Sequence, residues 1–327
     1  MPLRLGDIVR RHARWRPERT AYVIGPHRVT YAELNALANR FAHLLRGLGV
    51  GHGDRVATLA SNRREYPAIY FAVAKLGAIH VPLNVRWKAD ELRWGLAQSE
   101  ARVLFVAREH EGVARALAPE LPALRHLVPL DGDGPACAPA LLARAGDTEP
   151  HADVDERDPH VMLYTSGTTG DPKGALLSHR SYVLQAAQTQ GTTGLGEDDV
   201  GLCMFPMFHM GGWAMPLGYW ANGASVVLMD RVDPGAILHL IARERVTYVY
   251  LIPTLYDAVL DAAEFDRADL RSLRALGSGT SVMTAEQVHE IVERFAIPNL
   301  FVMYGQTEAG PIAVLRPPDV LRKATSV

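Results

Sequence analysis

The sequence predicts an α/β fold built from two successive, mostly parallel α/β subdomains. Three observations lead there. Short apolar runs alternate with amphipathic helical patterns along both halves. A stretch rich in glycine, proline and acids interrupts the alternation near the middle. The 327 residues are 48% hydrophobic and 21% charged, enough apolar material for sizeable cores. Strands alternating with helices imply crossover connections and a parallel sheet.

The clearest helix runs from Thr30 to Gly49. Thr30 and Glu33 have the spacing of a capping box, and Leu34, Leu37, Ala38, Phe41, Leu44, Leu45 and Leu48 recur on one face. Gly49 is a natural stop. An apolar run follows at Val56 to Ala60, then a helical pattern from Glu65 to Leu76 closed by Gly77. Short runs at Ile79 to Leu83 and Val103 to Ala107 flank a helical stretch from Ala89 to Gln98. Between Asp131 and Pro159 the pattern fails, which reads as a surface connection and a subdomain boundary. The expected division is therefore 1–150 and 151–327. In the second half the strand candidates are Val161 to Tyr164, Ala224 to Met229, Val246 to Ile252, Leu273 to Leu276 and Leu300 to Tyr304. Helical patterns fill Pro234 to Arg243, Leu255 to Ala263 and Ala285 to Phe295.

Composition excludes several classes. Lys plus Arg is 34 and Asp plus Glu is 36, a net charge of −2, without the basic bias of a nucleic-acid binder. Cys137 and Cys203 cannot form a disulfide framework, so a reducing cytoplasm is the default location. The opening residues lack the unbroken apolar core of a signal peptide. Gly201 to Met229 holds no charged residue and is long enough to span a bilayer, but Pro206, Pro216, His209, Asn222 and several glycines argue for a buried, pocket-lining segment. No membrane span is expected, and peripheral membrane contact is left open. The histidines are too scattered for a zinc site, and neither Ser166 nor Ser278 has the G-x-S-x-G setting of a hydrolase nucleophile.

The segment LYTSGTTGDPKG, Leu163 to Gly174, carries the functional argument. Gly167, Gly170 and Gly174 allow tight turns and close approach of backbone N–H groups to an anion. Thr165, Ser166, Thr168 and Thr169 add hydroxyl donors, and Lys173, one of only four lysines, adds a mobile positive charge suited to phosphate. It is not a Walker A loop, since Pro172 precedes the lysine and Gly174 follows it. By itself such a loop also reads as a solvated turn.

TSGTTGDPKG resembles the phosphate-binding signature of the adenylate-forming (AMP-binding) superfamily, which includes acyl- and aryl-CoA ligases, peptide-synthetase adenylation domains and luciferases. Three later segments agree in order and rough spacing: PMFHMGGW (Pro206 to Trp213), LGSGTSVM (Leu276 to Met283) and YGQTEAG (Tyr304 to Gly310). The N-terminal RVTYAELNALANRFAHLLRGLGVGHGDRVA is similar to the family's opening helix and strand. The fold implied is two mostly parallel α/β subdomains of the family's N-terminal domain.

The resemblance implies that ATP and a carboxylate form acyl-AMP and pyrophosphate, and that the acyl group then passes to coenzyme A (CoA). It implies that the Thr165 to Lys173 loop, with Gly167, Thr168, Thr169 and Gly170, orients the β- and γ-phosphates. Glu308 with Thr165 is implied to hold Mg²⁺, Thr307 to contact the α-phosphate and the Tyr304 ring to lie against adenine. Gly277, Ser278, Gly279, Gly305 and Gln306 complete the nucleotide side, Gly279 and Gly305 also bordering substrate. Seen alone, Tyr304 reads equally as a strand-end core aromatic and His209 as a core histidine. In family context His209 resembles the residue near the reacting carboxylate, and Trp213 is expected to gate an acyl tunnel, sharing a face with His209 if the segment is helical. A Trp213→Ala variant is then expected to alter chain-length preference; an unchanged preference would count against the gate.

Met210, Gly211 and Gly212 leave no acid beside His209 to pair with a substrate ammonium, so an apolar acid is expected, a fatty acid first and an aryl acid next. The sequence departs from the family where Gly279-Thr280-Ser281-Val282 replaces the common Gly-Gly-Ala-Pro, and where Met303 replaces a glycine before Tyr304. The chain ends soon after YGQTEAG, so the ribose-binding aspartate, most of a β-barrel subdomain and the C-terminal lid domain with its lysine are expected to be absent. An impaired enzyme, or a non-catalytic nucleotide- or acyl-binding fragment, are the two outcomes this leaves.

Overall fold

The computed structural model describes residues 3–165 and 172–324. The first elements are α1 (Leu5–Trp15), β1 (Thr20–Ile24), β2 (His27–Thr30), α2 (Tyr31–Gly47), β3 (Arg55–Leu59), α3 (Tyr66–Lys75), β4 (Ile79–Pro82), α4 (Ala89–Ser99), β5 (Val103–Val106), α5 (Arg108–Leu117), β6 (His126–Pro129) and α6 (Ala138–Leu142). Then come β7 (Pro159–Thr165), β8 (Lys173–Ser178), α7 (His179–Thr193), β9 (Val200–Cys203), α8 (Met210–Ala221), β10 (Ser225–Leu228) and α9 (Pro234–Glu244). The last are β11 (Tyr248–Tyr250), α10 (Pro253–Leu260), β12 (Ala275–Gly279), α11 (Ala285–Phe295), β13 (Leu300–Gln306), β14 (Gly310–Leu315) and α12 (Pro317–Val320).

The chain forms two compact units. The first comprises Val29–Leu184, Pro206–Trp213 and the N-terminal residues up to Arg19. Its sheet has the order β6-β5-β3-β4-β7-β8, parallel from β6 to β7 and antiparallel between β7 and β8. All four residues of β4 and of β5 are buried, as expected for parallel strands covered on both faces. Helix α2 starts at its capping box. Thr30 Oγ1 accepts the Glu33 N–H at 3.2 Å, and Glu33 Oε2 accepts the Thr30 N–H at 2.8 Å. The α3 helix is buried along its whole length, including Lys75.

The second unit comprises Thr20–Arg28, Gln185–Phe205 and the residues from Ala214 onward. Its sheet runs β14-β13-β12-β11-β9-β10-β1-β2, parallel from β1 to β13 with β14 antiparallel at the edge. Its core packs Leu202, Val227, Ile237, Ile241, Val249, Leu276, Ile291 and Leu300. The uncharged stretch from Gly201 to Met229 holds the end of β9, α8 and β10, and among the described residues no helix is long and apolar enough to cross a membrane.

The grouping in space departs from a division at residue 150. Strand β1 leaves the N-terminal region to pair with β10 (Tyr22 opposite Val226), and Trp220 Nε1 donates to Ala21 O at 2.9 Å. Strands β7 and β8 join the first sheet, with Val161 opposite His80. Strand pairing across long sequence separations leaves no trace in local composition. The 131–159 connection contains only the short α6, and side chains strap its end to α2 and α3. Asn39 Nδ2 donates to Asp147 O at 2.7 Å, Asn35 Nδ2 to Glu149 Oε1 at 2.7 Å, and Lys75 Nζ to Glu149 Oε2 at 2.8 Å.

Candidate active site

In open α/β sheets ligands collect beyond the carboxyl ends of the parallel strands. Thr165 in the first unit, and Gly279 and Gln306 in the second, end such strands.

In the first unit, β7 runs into the phosphate loop and β8 returns from it. Thr165 and Lys173 are register partners at the mouth of this hairpin, joined by a long hydrogen bond of 3.5 Å from Thr165 Oγ1 to Lys173 O. Lys173 is exposed and Thr165 partly so. The proposed Ser166, Gly167, Thr168, Thr169 and Gly170 contacts lie outside the described residues. The hairpin stem is anchored by Tyr164, whose hydroxyl lies 2.6 Å from Gln98 Oε1 and 2.9 Å from Gly95 O, and whose ring packs between Trp87 and Trp94. Gly174 lies against the Met162 side chain, whose Cγ and Sδ come within 2.9 Å of where a Cβ would sit.

His209 and Trp213 also belong to the first unit. His209 does not share a helical face with Trp213, because α8 begins only at Met210. Instead it caps that helix: its Nδ1 accepts the Gly211 N–H at 3.3 Å, while its backbone N–H donates to Pro206 O at 2.9 Å. With Nδ1 accepting, the neutral ring carries its proton on Nε2. The imidazole lies partly at the surface, yet desolvation by its neighbours holds its pKa below the ordinary value. Trp213 is fully buried against Tyr70, Phe71 and His160.

In the second unit, β12 and β13 are parallel neighbours, with Ser278 opposite Val302 and Gly279 opposite Met303. Strand β12 thus ends at Gly279 opposite Met303, and Tyr304, Gly305 and Gln306 continue β13 past that end, where it pairs with β14. Thr307 and Glu308 form the turn between β13 and β14, where the Ala309 N–H donates to Gln306 O at 3.2 Å. Tyr304 is 58% exposed, which a strand-end core aromatic would not be. Glu308 is exposed as well. Among the described residues no three His, Cys, Asp or Glu side chains converge to hold a metal. A lone exposed carboxylate nevertheless suits Mg²⁺, which keeps several waters and takes its other ligands from phosphate oxygens.

Sequence reasoning missed two sets of residues around these positions. The first is Tyr248 and Tyr250 on β11. A Cβ on Gly277 would strike the Tyr248 hydroxyl and come within 2.6 Å of Tyr250 Cδ2, and one on Gly279 would strike the Met303 carbonyl and the Tyr250 hydroxyl. The alternation Gly277-x-Gly279 is thus required by Tyr248-x-Tyr250 on the adjacent strand, whatever binds at the edge. A period-two reading of both strands together could have found it. Likewise a Cβ on Gly305 would strike the Gly310 carbonyl across the hairpin. The second set is Tyr70, His80, His160, His179 and Tyr182, drawn from four different elements into one ring cluster, in which Tyr70 and His160 pack on Trp213 while His80 meets Tyr70 and His179 and Tyr182 meet His160. Burial pushes the His80 pKa down to about 3, His179 down to about 4, and His160 well below its ordinary value. No local pattern announces a cluster gathered from α3, β4, β7 and α7.

Comparison with known proteins places this geometry in context. The profile of the "AMP-binding enzyme" family matches residues 9–327. A feruloyl-CoA synthase of an Amycolatopsis species is 38% identical over 309 residues, covering 94% of this chain and 60% of that protein. A long-chain-fatty-acid–CoA ligase of Thermus thermophilus is 36% identical over 293 residues, covering 88% of this chain and 53% of that protein. An indoleacetate–CoA ligase of Aromatoleum aromaticum is 36% identical over 329 residues, covering 99% and 64%. Among solved structures, the inhibitor-bound N-terminal domain of FACL13 from Mycobacterium tuberculosis matches with a TM-score of 0.92 at 30% identity, covering 99% of this chain and 81% of that one. The chain spans about 60% of the length of the curated relatives it matches.

Proposed function

The chain belongs to the AMP-binding enzyme family, in its acyl-CoA ligase branch, and from that premise we propose that it binds ATP and an apolar carboxylic acid and joins them as an acyl adenylate. In the reaction a carboxylate oxygen attacks the α-phosphorus, the bond to the bridging oxygen of pyrophosphate breaks, and pyrophosphate leaves with that electron pair. Transfer of the acyl group to the CoA thiol, with release of AMP, completes the proposed cycle.

Two anions must meet, so the residues present have to offset negative charge and hold the partners in line. Lys173 and the Thr165 hydroxyl serve the β- and γ-phosphates in this reading. Thr307 serves the α-phosphate, and the exposed Tyr304 ring offers adenine a stacking face. Glu308 is the proposed Mg²⁺ ligand; the ion, when bound, offsets phosphate charge as it builds. His209, neutral and with Nε2–H facing away from its capping bond, is suited to donate to the substrate carboxylate. The observation that carries the reading is the pairing of Thr165 with Lys173 at the mouth of the family's phosphate hairpin. An uncharged stretch beside His209 supports an apolar acid, and the fatty and aryl acids named for the relatives are both candidates.

ATP–pyrophosphate exchange driven by a panel of carboxylic acids tests this. The expected result is acid-dependent exchange that falls by about 100-fold in Lys173→Met, the size of effect of removing one well-placed charge or donor. Exchange at the original rate in that variant would reject the role of the hairpin.

A further inference from the structure

His209 stands on a short turn whose placement is set from outside it. The turn's own backbone bonds run from the His209 N–H to Pro206 O at 2.9 Å and from the Gly212 N–H to His209 O at 3.0 Å. Pro206 has a fixed φ, and a Cβ on Gly212 would strike the Pro206 carbonyl, so the two ends of the turn lie against each other. The Met207 N–H is engaged elsewhere. It donates to Asn62 Oδ1 at 2.7 Å, across 145 positions of sequence. Met207 is fully buried and Asn62 is 7% exposed, and both belong to the first unit. Asn62 follows the carboxyl end of β3, in the loop that leads into α3. That loop is fixed in turn by Arg63, whose Nη1 and Nη2 donate to the two carboxylate oxygens of Asp131 at 3.1 and 3.0 Å. A bidentate pair of this kind sets direction as well as distance.

We infer that Asn62 is a positioning residue for acid activation: its amide oxygen seats the 206–212 turn and thereby aims the His209 imidazole at the substrate carboxylate. The inference rests on the acid-activation reading and adds to it a residue that acts through another. A buried backbone N–H needs an acceptor, because no bulk water replaces a lost one there. His209 lies two residues past Met207, and its ring is tied to the same turn by the Gly211 N–H. A shift of the Met207 peptide therefore carries the imidazole with it. The nucleotide side is held separately: Thr165 and Lys173 sit on the β7–β8 hairpin, fixed by its own ladder and by the Tyr164 hydroxyl. In-line attack depends on where the carboxylate is held, so a displaced donor weakens the use of the acid and spares that of ATP.

The test is ATP–pyrophosphate exchange by the full 327-residue chain, with dodecanoic acid and cinnamic acid as the varied acids. Asn62→Leu keeps much of the side-chain volume and removes the acceptor. The KM for the acid should rise about tenfold while the KM for ATP stays within about twofold of the original, since a misplacement of about 1 Å costs up to about 100-fold. Hydrogen exchange read peptide by peptide should quicken over residues 206–212 and stay unchanged in α3. Simple loss of folded protein lowers the rate at saturation and leaves both KM values in place. That result, or an acid KM that does not move, overturns the inference and leaves acid activation standing. If Asn62→Leu does not fold, Asn62→Ser, whose hydroxyl is too short to span the gap, decides the matter by the same measurements. No acid-dependent exchange in the unaltered chain rejects the acid-activation reading, and this inference with it.

Discussion

At the scale of single residues, the candidate site carries one clear backbone oddity. Thr280, directly after the β12 edge, has φ +72°, a left-handed conformation that a β-branched side chain rarely adopts. It is also the position where Gly279-Thr280 replaces the family's usual pair of glycines. Such strain costs of order 1–3 kcal/mol and collects at functional edges. Glycine would relieve it, while adding freedom to the unfolded chain worth about 0.4–1 kcal/mol in the opposite direction. Thr280→Gly is therefore expected to stabilise the chain by about 1 kcal/mol, read as a rise in the urea midpoint without a change in slope. An unchanged or lower midpoint would mean that neighbouring contacts, rather than the backbone, set the Thr280 conformation.

At the scale of elements, the 131–159 connection shows how a stretch with little regular structure is still held in place. Lys75 Nζ, at the buried end of α3, donates to Asn35 Oδ1 at 2.7 Å, Asn39 Oδ1 at 2.6 Å and Glu149 Oε2 at 2.8 Å. Burial lowers the Lys75 pKa, opposed by the Glu149 carboxylate, and the same pairing holds the Glu149 pKa below its ordinary value against partial burial. Glu149→Gln keeps a hydrogen-bonding side chain but withdraws the charge that faces a buried ammonium. The expected cost is about 2 kcal/mol, the range for hydrogen bonds to charged groups, measured by equilibrium unfolding. The variant should also expose residues 147–154 to proteolysis earlier than the rest of the unit. Uniform protection across this segment would show that the Asn39 bond to Asp147 O suffices.

At the scale of the whole molecule, the buried histidines link stability to pH. His80, His160 and His179 all have folded pKa values below the ordinary 6.5, with desolvation the leading cause in each. His160 is also disfavoured as a cation by His179 and His80, and His179 feels an opposing pull from Asp158. A depressed pKa means that the unfolded chain binds the protons first. Stability is therefore complete above pH 6.5 and falls as the pH drops, levelling only below the folded values of about 4 for His179 and about 3 for His80. Each histidine adds about 1.4 kcal/mol per pH unit in that window, so three give a limiting slope of about 4 kcal/mol per unit. Urea midpoints between pH 7 and pH 5 test this, before the carboxylates titrate. His160→Phe should remove about a third of the slope, and a flat profile over the window would reject neutral burial of the cluster.

Much of the molecule was legible in the sequence. The Thr30–Glu33 capping box, the apolar stripe of α2, the wholly apolar β5 and the loop that follows the Val161–Tyr164 strand all follow from rules that act over a few residues, and a local rule needs only local sequence; the strand β8 that begins at Lys173 was not among the sequence's strand candidates. The same holds for family membership, carried by short segments such as TSGTTGDPKG and YGQTEAG. Other features were decided only by tertiary structure. Strand β1 pairs with β10 across some two hundred positions, so the compact units do not follow the linear division. Gly277 owes its bareness to tyrosines on β11, Gly279 to a β11 tyrosine and to the Met303 carbonyl on β13, and His209 sits ahead of α8 instead of on its face. The Trp213 cluster draws rings from four elements besides its own. In each case the cause is a contact between segments far apart in the chain, and its energy depends on packing and on lost water. Composition and periodicity record what each segment can offer; which partners it meets is set when the sheets assemble and exclude solvent.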